Sequence, residues 1–442
     1  MKKIVEGIKY WGQLLLLPIY WFSFLFPRSK RIWLFGSTFG RRFADNPRYF
    51  YLYVSQMAKK SLATTATDNM TDDNPCMVDG KPIRPIWISH NKEIVEFLHE
   101  NGYEAYYNHS IKGIWYCLRG KVYCFDNYSK DISFWLSGGA IKFNMWHGVG
   151  NKCINFDNKH DKVRHPKNAW EKFKYFPRRL SDEKPSHYIL STSPMMSEIF
   201  ARAFQVSEDH VIEAGYPRND ILFEDVNDLQ ESENASDNNI HIRNLYLPEE
   251  QKLMDNIKEW KQQGLKVIGY LPTFRPSETK LFEVCNLEKL NQFLGEHDMK
   301  LVCKLHPKSG CRQAFEKMEY SNLYVVPAEV DVNAFLGNID LLIADYSSVY
   351  SDYMLLDRPV VAFHYDYEEY AKDTRDAYFD WDEYMPDIKA YHQDDLESAI
   401  LKVLKNDDAL EQRRRFRGKL YEQLDNQACK RIVSSLMRLE RV

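Results

Sequence analysis

Paired cysteines, nucleotide-loop signatures and apolar runs long enough to span a bilayer are missing from this chain, and each absence removes a class of protein. The eight cysteines (Cys76, Cys117, Cys124, Cys153, Cys285, Cys303, Cys311 and Cys429) form no C-x-x-C pair and have no histidine at zinc-finger spacing. That excludes the common zinc modules and suits a reducing compartment. There is no Walker loop, no G-x-G-x-x-G, no H-E-x-x-H and no D-x-D pair in a setting that would hold a metal. P-loop hydrolysis, Rossmann hydride transfer and zinc proteolysis are therefore without support, and no metal or cofactor is implied. No internal repeat is evident, and no small-residue cleavage site follows the N-terminal apolar stretch, which argues against a cleaved signal peptide.

What is there is a folded chain of 442 residues, 44% hydrophobic and 14% aromatic, long enough for two domains of roughly 200 residues each. The net charge of −4 hides an asymmetry. Residues 1–60 carry eleven Lys/Arg against only Glu6 and Asp45, and between those cations runs the uncharged stretch YWGQLLLLPIYWFSFLFP, residues 10–27. Eighteen residues fall short of the ~20 a spanning helix needs. Trp11, Tyr20 and Trp21 suit the headgroup layer, and the flanking cations suit anionic lipid. Residues 1–29 read as a membrane-anchoring segment lying in the cytoplasmic face, peripheral or monotopic; a buried first helix is the alternative. No nucleic-acid partner is expected, and a homo-oligomer is left open.

Short apolar runs then alternate with helix-length segments: Ile32–Phe35, Pro85–Ser89, Val122–Phe125, Ile141–Trp146 and Tyr188–Thr192. This is the pattern of an α/β domain with a mainly parallel sheet. Residues 61–82 interrupt it with a polar, Gly/Pro-punctuated insertion that reads as a mobile loop. Six acids and no base between Glu224 and Asn239 mark a solvated connection. A second series follows: Val267–Leu271, Lys300–Leu305, Leu323–Val326, Leu341–Ala344 and Val360–Phe363. The expected domains are 30–222 and 251–442, two Rossmann-like units joined by an acidic linker at 223–250.

Five segments put chemistry-bearing residues at strand ends, where ligands of open α/β sheets collect. NMWHGVGNK (144–152) sets His147 after an apolar run, with Gly148 and Gly150 freeing the backbone and Lys152 able to hold a phosphate. A neutral imidazole there can take a proton from a hydroxyl, although a structural histidine fits as well. In GYPRND (215–220) Arg218 suits a phosphate or a bracing carboxylate, and bracing is the simpler reading. YLPTFRP (270–276) offers Thr273 and Arg275 to phosphate oxygens, and CKLHP (303–307) places Lys304 and His306 on one face of a strand end. In LLIADYSSVYSDYMLLDRPVVAF (341–363) Ser347 and Ser348 fall where a helix begins, an anion site or a plain N-cap.

In this order the motifs resemble the CDP-glycerol glycerophosphotransferase family, whose members prime and polymerise wall teichoic acid and related capsular polymers. The likeness runs through IWLFGSTFGRRFADNPRYFYLYV, WISHNKEIVEFL, MWHGVGNK, AGYPRND, LPTFRP, KLHP and DYSSVYSDYMLLDRPVVAF, nearly the whole chain. It departs in the longer 61–82 insertion and in a GVGNK loop without proline, which bears on the acceptor more than on the reaction. The resemblance implies a GT-B fold: two Rossmann-like domains facing a cleft, the first for the acceptor and the second for the donor. It implies His147 and His306 as catalytic, with His147 deprotonating the acceptor hydroxyl and CMP expelled. Arg275, Thr273, Lys304, Ser347, Ser348, Arg218, Asn219 and Asp220 would serve the CDP-alditol donor, and Gly148 and Lys152 the acceptor side. The acceptor would be lipid-linked or a polyanionic glycan, and the nine Lys/Arg between Lys159 and Lys184 either steer it or form a solvated face. A GT-B enzyme using UDP-sugars and a catalytically idle membrane scaffold are the competing readings.

Overall fold

The apolar runs become strands because each is buried on both faces, the environment of a parallel sheet covered by helices. The computed structural model describes residues 6–7, 10–65, 76–182, 186–223, 245–273, 279–305, 312, 320–367 and 376–440. Strand β1 (Ser29–Phe35) is followed by the small antiparallel pair β2 (Met77–Val78) and β3 (Lys81–Pro82). Then come β4 (Arg84–Ser89), β5 (Ala105–Tyr107), β6 (Gly120–Phe125), β7 (Ile141–Asn144), β8 (Tyr188–Ser191) and β9 (Val211–Glu213). The insertion expected to be a loop is thus partly ordered: residues 61–65 extend the helix Asp45–Thr65, residues 77–82 form the β2–β3 hairpin, and residues 66–75 lie outside the described residues.

Among the described residues the first sheet has seven strands in the order β5-β4-β1-β6-β7-β8-β9, all pairs parallel. Its crossovers are helices with polar caps: Asn91 accepts from Glu93 N at 2.9 Å, and Ser110 from Gly113 N at 3.0 Å. Leu34, Ile86, Ile88, Tyr123, Phe125 and Ile132 form a core on this sheet.

The second sheet comprises β10 (Lys266–Tyr270), β11 (Met299–Cys303), β12 (Leu323–Val325), β13 (Leu341–Ala344), β14 (Val360–Phe363) and β15 (Lys389–Ala390), ordered β12-β11-β10-β13-β14-β15 and again parallel. Ile268, Leu301, Leu341, Ile343, Val361 and Phe363 anchor its core. In both sheets the chain lays strands outward from the first, then returns to its other side. The order reverses between β1 and β6 and between β10 and β13, and such switch points open a crevice at the strands' carboxyl ends.

The chain divides into two compact units: Met1–His147, Ile154–Ile242 and Glu422–Val442 make one, Gly148–Cys153 and Arg243–Tyr421 the other. This corrects the expected boundary, because the last helix, Ala428–Glu440, belongs to the first unit. Asp220 accepts the Ala428 and Cys429 N–H groups at 3.0 Å each, satisfying donors that open this helix, while Ile432, Val433 and Leu436 bury its apolar stripe. The acidic linker lies largely outside the described residues.

At the N-terminus a turn, Gln13–Leu16, leads into the helix Leu17–Ser23, with Pro18 in its first turn. No helix among the described residues is long and apolar enough to cross a membrane.

Candidate active site

At the switch point of the first sheet, a buried carboxylate stands directly after β6. Asp126 accepts Ser37 Oγ at 2.8 Å, Thr38 N at 2.9 Å and Asn127 Nδ2 at 2.9 Å, so it holds the turn that leaves β1. The backbone oxygen of the same residue lies 3.1 Å from Nδ1 of His147. A ring nitrogen against a carbonyl oxygen carries the proton, which leaves Nε2 as the basic nitrogen of neutral His147.

The backbone at His147 is shaped for that contact. Trp146 has φ +50° and Gly148 φ +137°, conformations that strain any residue with a side chain and suit glycine at the second position. Two neighbours hold the turn. The Trp146 and His147 ring centroids are 3.9 Å apart, and Asn46 Nδ2 donates to Trp146 O at 2.9 Å and Met145 O at 3.3 Å. The other end of the Asn46 amide accepts Arg218 N at 3.2 Å, and Arg218 pairs with Asp45 at 2.8 Å while 4% exposed. The PRND turn is thereby tied to the WHG turn through Asn46. Its remaining members differ: Asp220 caps the last helix, whereas both amide atoms of buried Asn219 are without a hydrogen bond among the described residues. Burial pushes the Asp220 carboxyl up to about 7, against the pull of the Cys429 and Ala428 N–H groups.

The second unit repeats the device. Asp345, fully buried and directly after β13, accepts Thr273 N at 2.7 Å, Thr273 Oγ1 at 3.0 Å and Ser347 N at 3.0 Å. Thr273 leaves β10, so this carboxylate joins the two strand ends of the second switch point. Ser348 is the N-cap of a short helix, Val349–Tyr353, yet makes no side-chain capping bond. Ser347 is half-buried and Ser348 exposed, and neither hydroxyl makes a hydrogen bond among the described residues.

The loop following His147 belongs to this second unit. Asn151 O accepts Tyr378 N at 2.7 Å, Asn151 Oδ1 accepts Phe379 N at 2.7 Å, and Cys153 N donates to Asp376 O at 2.7 Å. Lys152 bridges Ala377 through its backbone. Gly150 runs so close to Ser348 that a Cβ would lie 3.1 Å from the serine Cβ, which accounts for a glycine there. Lys304 turns its ammonium to Pro327 O and Ala328 O, at 3.0 and 3.2 Å. Arg275 and His306 lie outside the described residues.

Asp126, Asp345 and Asn46 were not among the residues singled out from sequence. Their signal was modest: two acids each directly after an apolar strand run, and an Asx pair opening a helix.

Comparison with known proteins bears on this arrangement. Over residues 19–438 the chain matches the family described as CDP-Glycerol:Poly(glycerophosphate) glycerophosphotransferase. It is 25% identical over 430 residues to a teichoic acid glycerol-phosphate transferase of Staphylococcus aureus, covering 93% of this chain and 94% of that protein. Against a teichoic acid poly(glycerol phosphate) polymerase of Bacillus spizizenii the identity is 25% over 374 residues, 82% of this chain and 81% of that one. The solved structure of the wall teichoic acid polymerase TagF is similar with a TM-score of 0.62 at 22% identity, covering 100% of this chain and 98% of that chain. A TagF structure described with CDPG gives 0.62 at 21% identity with the same coverage. The structures carry the fold and the family match the identity: the chain belongs to the CDP-Glycerol:Poly(glycerophosphate) glycerophosphotransferase family and is a glycerophosphotransferase.

Proposed function

We propose that the protein transfers glycerol phosphate, or a related alditol phosphate, from a CDP-activated donor onto a lipid-linked or polymer acceptor, releasing CMP. The observation that carries the reading is the 3.1 Å contact between His147 Nδ1 and the Asp126 carbonyl oxygen, an acceptor that requires the proton on Nδ1. With Nδ1 directed at Asp126 O, Nε2 is the nitrogen that takes the proton of the acceptor's terminal hydroxyl. The oxygen attacks the β-phosphorus of the donor, the bond from that phosphorus to the bridging oxygen breaks, and CMP leaves with the electron pair. Phosphoryl transfer is served mainly by positioning and by donors aimed at the phosphoryl oxygens. The Ser347 and Ser348 hydroxyls and the backbone N–H groups beside them are suited to that task, and we assign Arg275, His306, Thr273 and Lys304 to the same donor side. Arg218 and Asp220 act, on this reading, by bracing the His147 turn, while Asn219 has amide capacity left for a ligand. The two Rossmann-like units would be the halves of a GT-B enzyme.

The test is CMP release from CDP-glycerol in the presence of acceptor. His147→Ala and His306→Ala should each lower turnover by ~1000-fold or more while remaining folded; full turnover in either removes that residue from the mechanism. Stabilisation by CDP but not UDP in thermal denaturation separates this reading from a UDP-sugar enzyme.

We further propose that the protein works on the cytoplasmic face of the membrane, held peripherally. Leu15, Trp21, Phe22, Phe24 and Leu25 are exposed, Leu15 by 81% and Leu25 by 74%. Trp11 stacks on Phe173 at 4.7 Å, beside the exposed Trp170 and Phe176 and the basic Lys172 and Lys174. Exposed aromatics beside cations suit an anionic headgroup layer. Sedimentation with phosphatidylglycerol vesicles, lost on Trp21→Ser with Leu25→Ser, checks this; equal sedimentation of the double variant would count against it.

A further inference from the structure

The β1 turn held by Asp126 contains three successive residues with positive φ: Thr38 (+49°), Phe39 (+56°) and Gly40 (+74°). Glycine accepts this geometry freely, whereas threonine and phenylalanine each lose on the order of 1–2 kcal/mol. Two buried carboxylates enforce it. Asp126 accepts Thr38 N, and Asp131 accepts Phe39 N at 2.8 Å, Asn127 N at 2.9 Å and Tyr128 N at 3.3 Å. Burial drives the Asp131 carboxyl well above its ordinary range, with Asp126 adding to the effect, so holding this turn costs further energy. At Gly36, which starts the turn, a Cβ would lie 2.7 Å from the Asp131 carbonyl oxygen.

The turn packs through Gly40 O, which accepts His90 N at 2.7 Å and Ser89 Oγ at 2.9 Å, and it also presents a ring to solvent. The ring it fixes, Phe39, is 41% exposed. Tyr128, on the neighbouring turn after β6, stands with its ring centroid 6.3 Å from that of Phe39 and the planes tilted by 32°. Lys130 places Nζ 5.3 Å from the Phe39 centroid and 4.7 Å from that of Tyr128. The Tyr128 hydroxyl accepts Arg164 Nη2 at 3.0 Å, and Arg41 is exposed on the same turn as Phe39. Two aromatic faces and an ammonium, on the turns that carry His147's partner Asp126, match a chain alternating C–H-rich polyol and anionic phosphodiester: the rings take the carbons and the cation the phosphate.

We propose that Phe39, Tyr128 and Lys130 form a docking platform for the acceptor, binding the polyol phosphate next to its reacting terminus. This rests on the reading of the first unit as the acceptor side. The platform positions acceptor and takes no part in the chemistry.

The experiment uses the full chain and a short glycerophosphate oligomer, measuring its binding by calorimetry without donor and its KM at saturating CDP-glycerol. Phe39→Ser and Lys130→Gln alter partly exposed side chains and are expected to keep the fold with only a small shift in thermal midpoint. Each should weaken oligomer binding 5- to 20-fold and raise the oligomer KM alike, with the KM for CDP-glycerol unchanged. Oligomer affinity at the wild-type level in both variants, or no oligomer binding by the wild-type protein, overturns the platform. Turnover itself is a separate readout: a wild-type protein that binds the oligomer but never consumes CDP-glycerol overturns the transferase reading and leaves the binding result standing.

Discussion

The two switch points solve one structural problem with one device and then diverge in what they present. In each, an aspartate directly after the strand across the reversal, Asp126 after β6 and Asp345 after β13, accepts a hydroxyl and a backbone N–H from the turn that leaves the first strand. A buried carboxylate with several N–H and O–H donors fixes a loop more firmly than apolar packing would, because every donor it leaves is costly. Beyond that the sites part. The first unit adds a second carboxylate, Asp131, and directs a histidine and an aromatic, cationic surface outward. The second adds serine hydroxyls and the start of a short helix. The scaffold is shared and the exposed residues differ; on the proposed reading, proton removal and acceptor docking fall to the first sheet and phosphate holding to the second.

Removing the carboxylate at the second switch point, which we assign to the donor, should have the gravest consequence. Asp345→Ala takes the carboxylate acceptor from Thr273 N, Thr273 Oγ1 and Ser347 N, partly buried donors for which the loss is on the order of 1 kcal/mol each, and releases both strand ends that we assign to the pyrophosphate. A fall in kcat/KM for CDP-glycerol of about 100-fold or more is expected, with a lowered thermal midpoint; Asp345→Asn, which keeps an acceptor, should fall between. The matching change, Asp126→Ala, leaves the backbone oxygen facing His147 in place. Its expected signature is a rise of about 10-fold in acceptor KM with donor KM nearly unchanged. If Asp126→Ala instead impaired donor binding and spared acceptor, the proposed division of labour would be reversed.

How much of this was legible in the sequence follows from burial. Central strands such as β6, β13 and β14 are continuous apolar runs because both faces are covered, and they were readable. Of the four edge strands among the described residues, Ala105–Tyr107, Val211–Glu213 and Lys389–Ala390 are two or three residues long and lack the run that announces the fourth, Leu323–Val325. His147 was visible through its glycines. Asp126 and Asp345 were not, since a lone acid after a strand is common and only the register of the adjacent strand shows what it holds. Arg218 illustrates the same limit: its guanidinium suits phosphate and carboxylate equally, and the partner, Asp45, lies far away in sequence.

A smaller change tests the tie between the two turns of the first unit. Asn46→Ala orphans Arg218 N and the two carbonyls at Met145 and Trp146, for a loss of about 2 kcal/mol. With the His147 turn loosened, kcat should drop about tenfold while both KM values stay close to wild type. Unchanged kcat with the same stability loss would make Asn46 a structural brace only.

A change that should leave activity alone lies away from either switch point and depends on pH. Lys142 on β7 is buried, with its ammonium against the Tyr20 and Phe134 rings and 3.4 Å from the Tyr20 hydroxyl. Burial, and then the nearby Arg28, lowers it to about 8 from 10.5. The folded protein thus binds this proton less tightly than the unfolded chain. Below pH 8 the penalty is present in full, and between pH 8 and 10.5 the unfolded state holds more protons, so this group's contribution to stability rises with pH. Lys142→Met keeps the stem and removes the charge. It should raise the thermal midpoint at pH 7.5, by a free energy of about 2–3 kcal/mol at most, and the gain should shrink at pH 9.5. A gain equal at both values would mean that stem packing, and no buried charge, distinguishes the two side chains.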